Sequence, residues 1–266
     1  MDPLEIDGCR VQVTDAGQGP LVLLIHGTAA NLWGAVPQIL AHNHRVLSYD
    51  RRSFGLSAAP PVTSLRRHTD DAASLLERLG GRPATVVGWS AGGLIALDLA
   101  ATRPDLVGAV VILEAPLSAK THPRPELLAG VFRAKFSAAR GRDRQGAEYF
   151  LRWALIRRGE GNDLDRLPAP WRDAMLANAS SILGEIEAGT GERELGRRAI
   201  AGITCPVLWL TGDRSAKSFS AAARRTNRKH PNIILVPVQG SGHVIQHDRP
   251  DAVVEAVRSV EAMAAS

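Results

Sequence analysis

Five consecutive apolar residues, Leu21-Val22-Leu23-Leu24-Ile25, follow the turn-forming stretch Asp15-Ala16-Gly17-Gln18-Gly19-Pro20. A strand wetted on one face alternates polar and apolar positions, so an unbroken run predicts a strand buried on both faces of a parallel sheet. Upstream, Cys9 to Thr14 does alternate and predicts a half-exposed strand. Further strands are predicted at Arg45 to Asp50, Ala84 to Val87 and Leu106 to Leu113, and again at Pro206 to Leu210 and Asn232 to Val236. Helical spacing of apolar residues falls between them, around Asp70 to Leu79 before Gly80-Gly81, at Gly93 to Ala100, and from Asp251 to Met263 after Pro250. From Leu117 to Ala199 only helical stretches occur, broken at Pro123, Pro125, Gly141, Pro168, Pro170 and Gly189. Strands alternating with helices on either side of a helical insertion predict an α/β fold with a mostly parallel central sheet flanked by helices. Residues 1–116 and 201–266 would form its core and residues 117–200 an inserted helical cap.

A chain of 266 residues that is 45% apolar can bury one large core with an inserted subdomain. It holds no apolar run of about 18 residues, so no membrane span is expected. The start, Met1-Asp2-Pro3-Leu4-Glu5, lacks the basic and apolar parts of a secretory signal, and the expected location is the cytoplasm. Cys9 and Cys205 make neither metal spacing nor a disulfide framework and read as buried thiols. Between residues 117 and 200 there are 15 Lys and Arg against 11 Asp and Glu, which is +4 of the net +5. The acidic residues are interspersed and no aromatic-basic motif accompanies the arginines, so the segment reads as a solvated mixed-charge surface rather than a nucleic-acid site.

Chemistry concentrates at Gly88-Trp89-Ser90-Ala91-Gly92, between a predicted strand and a predicted helix. A Gly-x-Ser-x-Gly there forces a turn so tight that its central residue is strained and only small residues fit at the two Gly positions. The Ser90 hydroxyl is thereby held above the sheet at a helix N-terminus, whose free N–H groups favour negative charge. Serine at its normal pKa needs a base, and the base needs an orienting acid. His243, in the Gly-rich loop Gln239-Gly240-Ser241-Gly242-His243 after a late strand, is the best placed histidine. His42, His44, His68, His122 and His230 sit in polar loops or on helix surfaces and read as solvated. His247 would compete with His243 only if that loop were helical. Trp33, Trp89, Phe132, Phe136, Tyr149, Phe150, Trp153 and Trp171 are candidates for an apolar pocket wall, those in the insertion also serving as its own core.

The chain resembles the α/β-hydrolase fold superfamily, in the single-chain serine hydrolase (esterase-like) group with a helical cap. The resemblance runs from about residue 8 to 262. It is carried by Leu24-Ile25-His26-Gly27, Asp50-Arg51-Arg52-Ser53-Phe54-Gly55-Leu56-Ser57, Gly88-Trp89-Ser90-Ala91-Gly92, Leu210-Thr211-Gly212-Asp213 and Gly242-His243. It implies Ser90 as nucleophile and His243 as general base. The oxyanion hole and substrate site would be built from the backbone N–H of Ala91 and of Thr28, with Trp89 beside them and the Thr28 hydroxyl as a candidate third donor. It implies a bracing role for His26. Two positions depart from the pattern. Ser53 stands where Gly is usual, so a differently shaped loop is expected there. The usual acid slot, Gly-x-x-Asp counted from Gly212, holds Ser215, which leaves Asp213, one residue after the Gly, and Glu114, at the end of the strand after the elbow helix. Both keep the order Ser, acid, His, and the sequence leaves the choice open.

The expected function is hydrolysis of a small carboxylic ester or related acyl compound through an acyl-enzyme on Ser90, with no cofactor and no metal. The alternatives are another cofactor-free reaction on this fold (C–C bond hydrolysis, a lactonase, a perhydrolase or a lyase) and a non-catalytic ligand-binding protein. The expected partner is a small-molecule acyl substrate, with a homodimer as candidate assembly and neither nucleic acid nor membrane.

Overall fold

The computed structural model describes residues 2–57, 59–62, 64–80, 83–117, 125–188, 195 and 200–266. His122 and the expected breaks at Pro123 and Gly189 lie outside the described residues. A short antiparallel pair, β1 (Leu4–Ile6) and β2 (Cys9–Val11), leads into β3 (Val13–Ala16), β4 (Leu21–Ile25), α1 (Val36–Leu40), β5 (Arg45–Tyr49), α2 (Leu65–Leu79), β6 (Ala84–Trp89), α3 (Ala91–Thr102) and β7 (Val107–Leu113). Helices α4 (Pro125–Ala138) and α5 (Asp143–Ala154) follow, then the two-residue strands β8 (Ile156–Arg157) and β9 (Gly161–Asn162), then α6 (Asp163–Arg166), α7 (Ala169–Ala177) and α8 (Ala179–Ala188). The chain closes with β10 (Val207–Gly212), α9 (Lys217–Lys229), β11 (Ile233–Val238), α10 (Ile245–Asp248) and α11 (Pro250–Ala265).

Seven strands form one sheet in the order β11-β10-β7-β6-β4-β5-β3, parallel except for β3, which runs antiparallel to β5. The apolar runs feed both faces by strict alternation. Leu23, Ile25, Val86, Val110, Ile112, Val207 and Trp209 pack with α2 and α3. Val22, Leu24, Val87, Val111, Leu113, Leu208 and Leu210 pack with α1 and α11. Burial on both sides is why these strands read as continuous hydrophobic stretches.

The alternating run at Cys9 to Thr14 is two strands rather than one. Between them Gln12 donates its N–H to the Ser57 hydroxyl (2.9 Å) and accepts from the Asp50 N–H (3.0 Å), so the chain changes sheets at that residue. Helix α2 begins at Leu65, five residues before the expected start, and the segment between β7 and β10 contains the β8–β9 hairpin, whose two-residue strands are too short for any periodicity. Ser53 takes a glycine-like backbone. Its φ is +71°, the left-handed conformation that glycine adopts freely, and its buried hydroxyl has no hydrogen-bond partner among the described residues. Ser53→Gly removes both costs and is expected to stabilise the fold by about 1 kcal/mol after the extra unfolded-chain freedom is counted. A rise in Tm of roughly 2–4 °C in a thermal melt checks this; an unchanged or lower Tm contradicts it.

Candidate active site

The residues singled out for chemistry gather at the C-terminal ends of the parallel strands, the edge where open α/β sheets bind ligands. Ser90 is the single residue between β6 and α3, with φ +54° and ψ −119°, so the strain expected of the elbow is present in the backbone. Its N–H donates to Leu113 C=O (2.8 Å) and its C=O accepts from Gly93 N–H (2.9 Å), which pins the turn to β7 and to the helix it opens. A Cβ on Gly92 would collide with the carbonyl of Ile25, and one on Gly27 would lie 2.8 Å from Ser90 Cβ. Those contacts bring the loop after β4 against the serine. Ser90, Ala91 and Thr28 are half-buried, whereas the flanking His26, Gly27, Trp89 and Gly92 are buried. As the first residue of α3, Ala91 carries an N–H with no intrahelical acceptor. The Thr28 N–H likewise has no acceptor among the described residues.

His243 is held from several sides. Its ring stacks on Phe219 (centroids 4.2 Å, 25° between planes) and lies tilted against Trp89 (5.8 Å). The Trp89 indole N–H donates to the His243 carbonyl (2.9 Å), so the residue before the serine holds the backbone of the histidine. The Asp163 carboxylate, from the insertion, accepts the His243 N–H (2.9 Å), and Arg157 fixes that carboxylate (2.9 Å) while also binding Asp248 (2.7 Å) and the Gly240 carbonyl (2.7 Å). The Ser90 hydroxyl makes no hydrogen bond to His243 in this structure. Such bonds are often long in unliganded hydrolytic sites and tighten around substrate.

The two candidate acids part company here. Glu114 Oε2 lies 3.2 Å from His243 Nδ1, and Glu114 Oε1 accepts the Gly212 N–H (2.8 Å). The side chain is fully buried, and burial pushes its proton affinity up, while the His243 contact, the nearby Ser215 hydroxyl and the Gly212 N–H act in the opposite sense. Asp213 does not reach His243. Its carboxylate accepts the Ser241 N–H (3.2 Å) and stands 4.0 Å from Arg214, partly open to solvent. Ser215, in the slot where an aspartate is usual, gives its proton to the Gly212 carbonyl (3.0 Å).

Thr28 does not present its hydroxyl as a spare donor. Thr28 Oγ1 donates to Glu185 Oε2 (2.6 Å), a carboxylate on α8 that also accepts from Arg51 Nη1 (2.7 Å) and lies 3.1 Å from His68 Nε2. Burial raises the Glu185 proton affinity, but Arg51 and His68 outweigh it and hold the group well below the ordinary carboxylate range. A carboxylate depressed in the folded state contributes stability that is complete above its ordinary value of 4.5 and is lost as pH falls through the folded value. Thermal melts should therefore show the Tm gap between wild type and Glu185→Gln narrowing from about pH 6 to about pH 3. A constant gap would contradict this.

Other expectations are corrected by packing. His68 and His44 are buried, not solvated, because they lie on inward-facing positions, His68 against Glu185 and His44 Nε2 3.0 Å from Glu261. Phe132 and Phe136 are exposed rather than part of a wall, stacked on each other at 6.0 Å with Arg140 over the Phe136 ring. Trp33 is buried, and Trp171 lies against Gly34 and the His247 ring (5.1 Å). Cys9 is buried and Cys205 partly so. His26 braces its loop, with Nε2 accepting the Arg51 N–H (2.9 Å) and Nδ1 2.7 Å from the Gly27 carbonyl. Phe219, Glu185 and Asp163 carry no motif that marks them in the sequence, whereas Arg51 lies inside the recognised loop Asp50 to Ser57. Among the described residues no helix is long and apolar enough to cross a membrane.

Residues 22–256 match the alpha/beta hydrolase family. The chain is 27% identical over 247 residues to a pimeloyl-[acyl-carrier protein] methyl ester esterase of Xanthomonas campestris, covering 91% of this chain and 94% of that one. It is 25% identical over 271 residues to a 2-(acetamidomethylene)succinate hydrolase of Mesorhizobium japonicum, covering 96% and 92%. The enol-lactonase of Burkholderia xenovorans LB400 superposes with a TM-score of 0.78 at 20% identity, over 97% of this chain and 98% of that one. A family match across most of the sheet, with the same fold in a solved relative, places this chain in the alpha/beta hydrolase family.

Proposed function

We propose that this protein is a serine hydrolase that cleaves a small carboxylic ester or related acyl compound through an acyl-enzyme on Ser90, with His243 as general base and Glu114 as its orienting acid. The observation that carries the reading is the contact between Glu114 Oε2 and His243 Nδ1 (3.2 Å). An ionised carboxylate only accepts, so it selects the tautomer with the proton on Nδ1 and leaves Nε2 as the basic nitrogen. Ser90 Oγ adds to the carbonyl carbon as its proton passes to Nε2, and the resulting oxyanion is met by the N–H groups of Thr28 and Ala91. Collapse breaks the ester C–O bond, and Nε2 returns the proton to the departing alkoxide. A water then gives its proton to Nε2 and attacks the acyl carbon; the bond from that carbon to Ser90 Oγ breaks, Nε2 returns the proton to Oγ, and the carboxylic acid leaves. In this reading the described helices α4 to α8 serve as the cap over this edge of the core. The esterase named above is 27% identical over nearly its whole length, which supports the ester class.

The test is a p-nitrophenyl ester panel of short to long acyl chains, combined with rapid quench and intact-mass measurement. Turnover with an acyl mass on the peptide containing Ser90 is the expected result. Saturable binding without turnover would favour a ligand-binding protein, and turnover without an adduct would favour chemistry that uses Ser90 without acylating it.

A further inference from the structure

The Glu185 side chain is 5% exposed and lies on α8, far from Ser90 in sequence. Its two oxygens meet one group from the loop after β4 and one from the loop after β5. Oε2 accepts from Thr28 Oγ1 (2.6 Å), and Oε1 accepts from Arg51 Nη1 (2.7 Å). The other end of that guanidinium, Nη2, donates to the Gly27 carbonyl (2.9 Å), which also receives the Ala29 N–H (2.9 Å) and lies 2.7 Å from His26 Nδ1. Gly27 C=O and Thr28 N–H are the two ends of one peptide unit. That unit is planar, so a grip on the oxygen fixes the direction of the N–H. A cation on the oxygen also polarises the unit and strengthens its N–H as a donor.

We propose that Glu185 is a positioning residue: by holding Arg51 and the Thr28 side chain, it aims the Thr28 N–H at the oxyanion, so the inserted helix α8 completes the oxyanion hole. The proposal rests on the serine hydrolase reading of Ser90. Arg51 is 1% exposed and enclosed between Glu185 and the Gly27 carbonyl, so its guanidinium faces this peptide and not a substrate anion.

Removing Glu185 alone leaves a buried cation uncompensated and can unfold the region, so the test pairs Glu185→Gln with Arg51→Met/Glu185→Leu, which removes both charges together. Each variant is assayed with p-nitrophenyl butyrate, with a trifluoromethyl ketone that forms a tetrahedral adduct, and with butyrate as a ground-state ligand. Tm is measured alongside. Complete loss of one oxyanion donor lowers kcat by roughly 10²- to 10³-fold. A misaimed donor is expected to lower kcat by about 10- to 100-fold with KM within about threefold. Trifluoromethyl ketone affinity should fall by the same factor as kcat/KM, and butyrate affinity should stay unchanged. The charge-free double variant is expected to regain a Tm near wild type while keeping the kcat loss, which a merely structural role would not produce. Wild-type kcat and ketone affinity in the folded double variant would overturn the proposal. Wild-type enzyme that turns over ester without an acyl-Ser90 adduct would instead overturn the underlying reading, and the proposal with it.

Discussion

Ser90→Ala is expected to lower kcat/KM for p-nitrophenyl acetate and butyrate by roughly 10⁴- to 10⁶-fold, with circular dichroism and Tm close to wild type. The size follows from what the hydroxyl does. Without it no covalent bond to the acyl carbon forms, and the remaining donors can only assist direct attack by water. Stability should hardly change, because Ser90 Oγ makes no hydrogen bond among the described residues and alanine inherits the same φ of +54°. An organophosphonate should label wild-type protein on the Ser90 peptide and leave the alanine variant unlabelled. Retained hydrolysis in purified Ser90→Ala would move the nucleophile elsewhere.

The second large effect separates the two carboxylates. Glu114→Gln is expected to lower kcat by about 10⁴-fold, whereas Asp213→Asn stays within about threefold of wild type. A glutamine can keep its oxygen on the Gly212 N–H, which then points its NH₂ at His243 Nδ1. Two donors facing each other drive the ring to the other tautomer, with the proton on Nε2, where it cannot accept from Ser90. Asparagine at 213 still accepts the Ser241 N–H through its oxygen and touches nothing on the imidazole. Paired kcat measurements across pH decide the matter. A large loss in Asp213→Asn with a small one in Glu114→Gln would reverse the assignment.

The reasons the sequence left that choice open lie in the sheet. Gly88 to Gly92 is legible because its strain, its glycines and its flanking strand and helix are all local. The acid depends on which strands are neighbours. Strand β7 lies beside β10 with Leu113 opposite Leu210, and Glu114 N–H donates to the Leu210 carbonyl (3.1 Å). That pairing, and the φ of +55° that turns Glu114 at the strand end, bring its carboxylate to the Gly212 N–H. No periodicity within either strand encodes it. The same holds for Glu185, which meets Thr28 and Arg51 only through the docking of α8. The strands of the seven-stranded sheet and helices α2, α3 and α11 are readable from hydrophobic spacing, whereas β1, the β8–β9 pair, α1, α9 and α10 are not, and the corrected side chains are those that answer to a distant partner. His68 reads as a polar residue on a helix until Glu185 arrives to bury it. Phe132 reads as a wall residue although its face of α4 is left uncovered.

The β8–β9 hairpin carries a consequence for engineering. Arg157 and Asp163 grip the His243 loop from outside the sheet, through the Gly240 carbonyl and the His243 N–H. Transplanting a foreign segment over residues 125–188 to change substrate preference would cut that tether even if the new walls fitted the desired molecule. A chimera would have to carry an equivalent arginine–aspartate clasp, or the imidazole would wander and turnover would fall for every substrate alike.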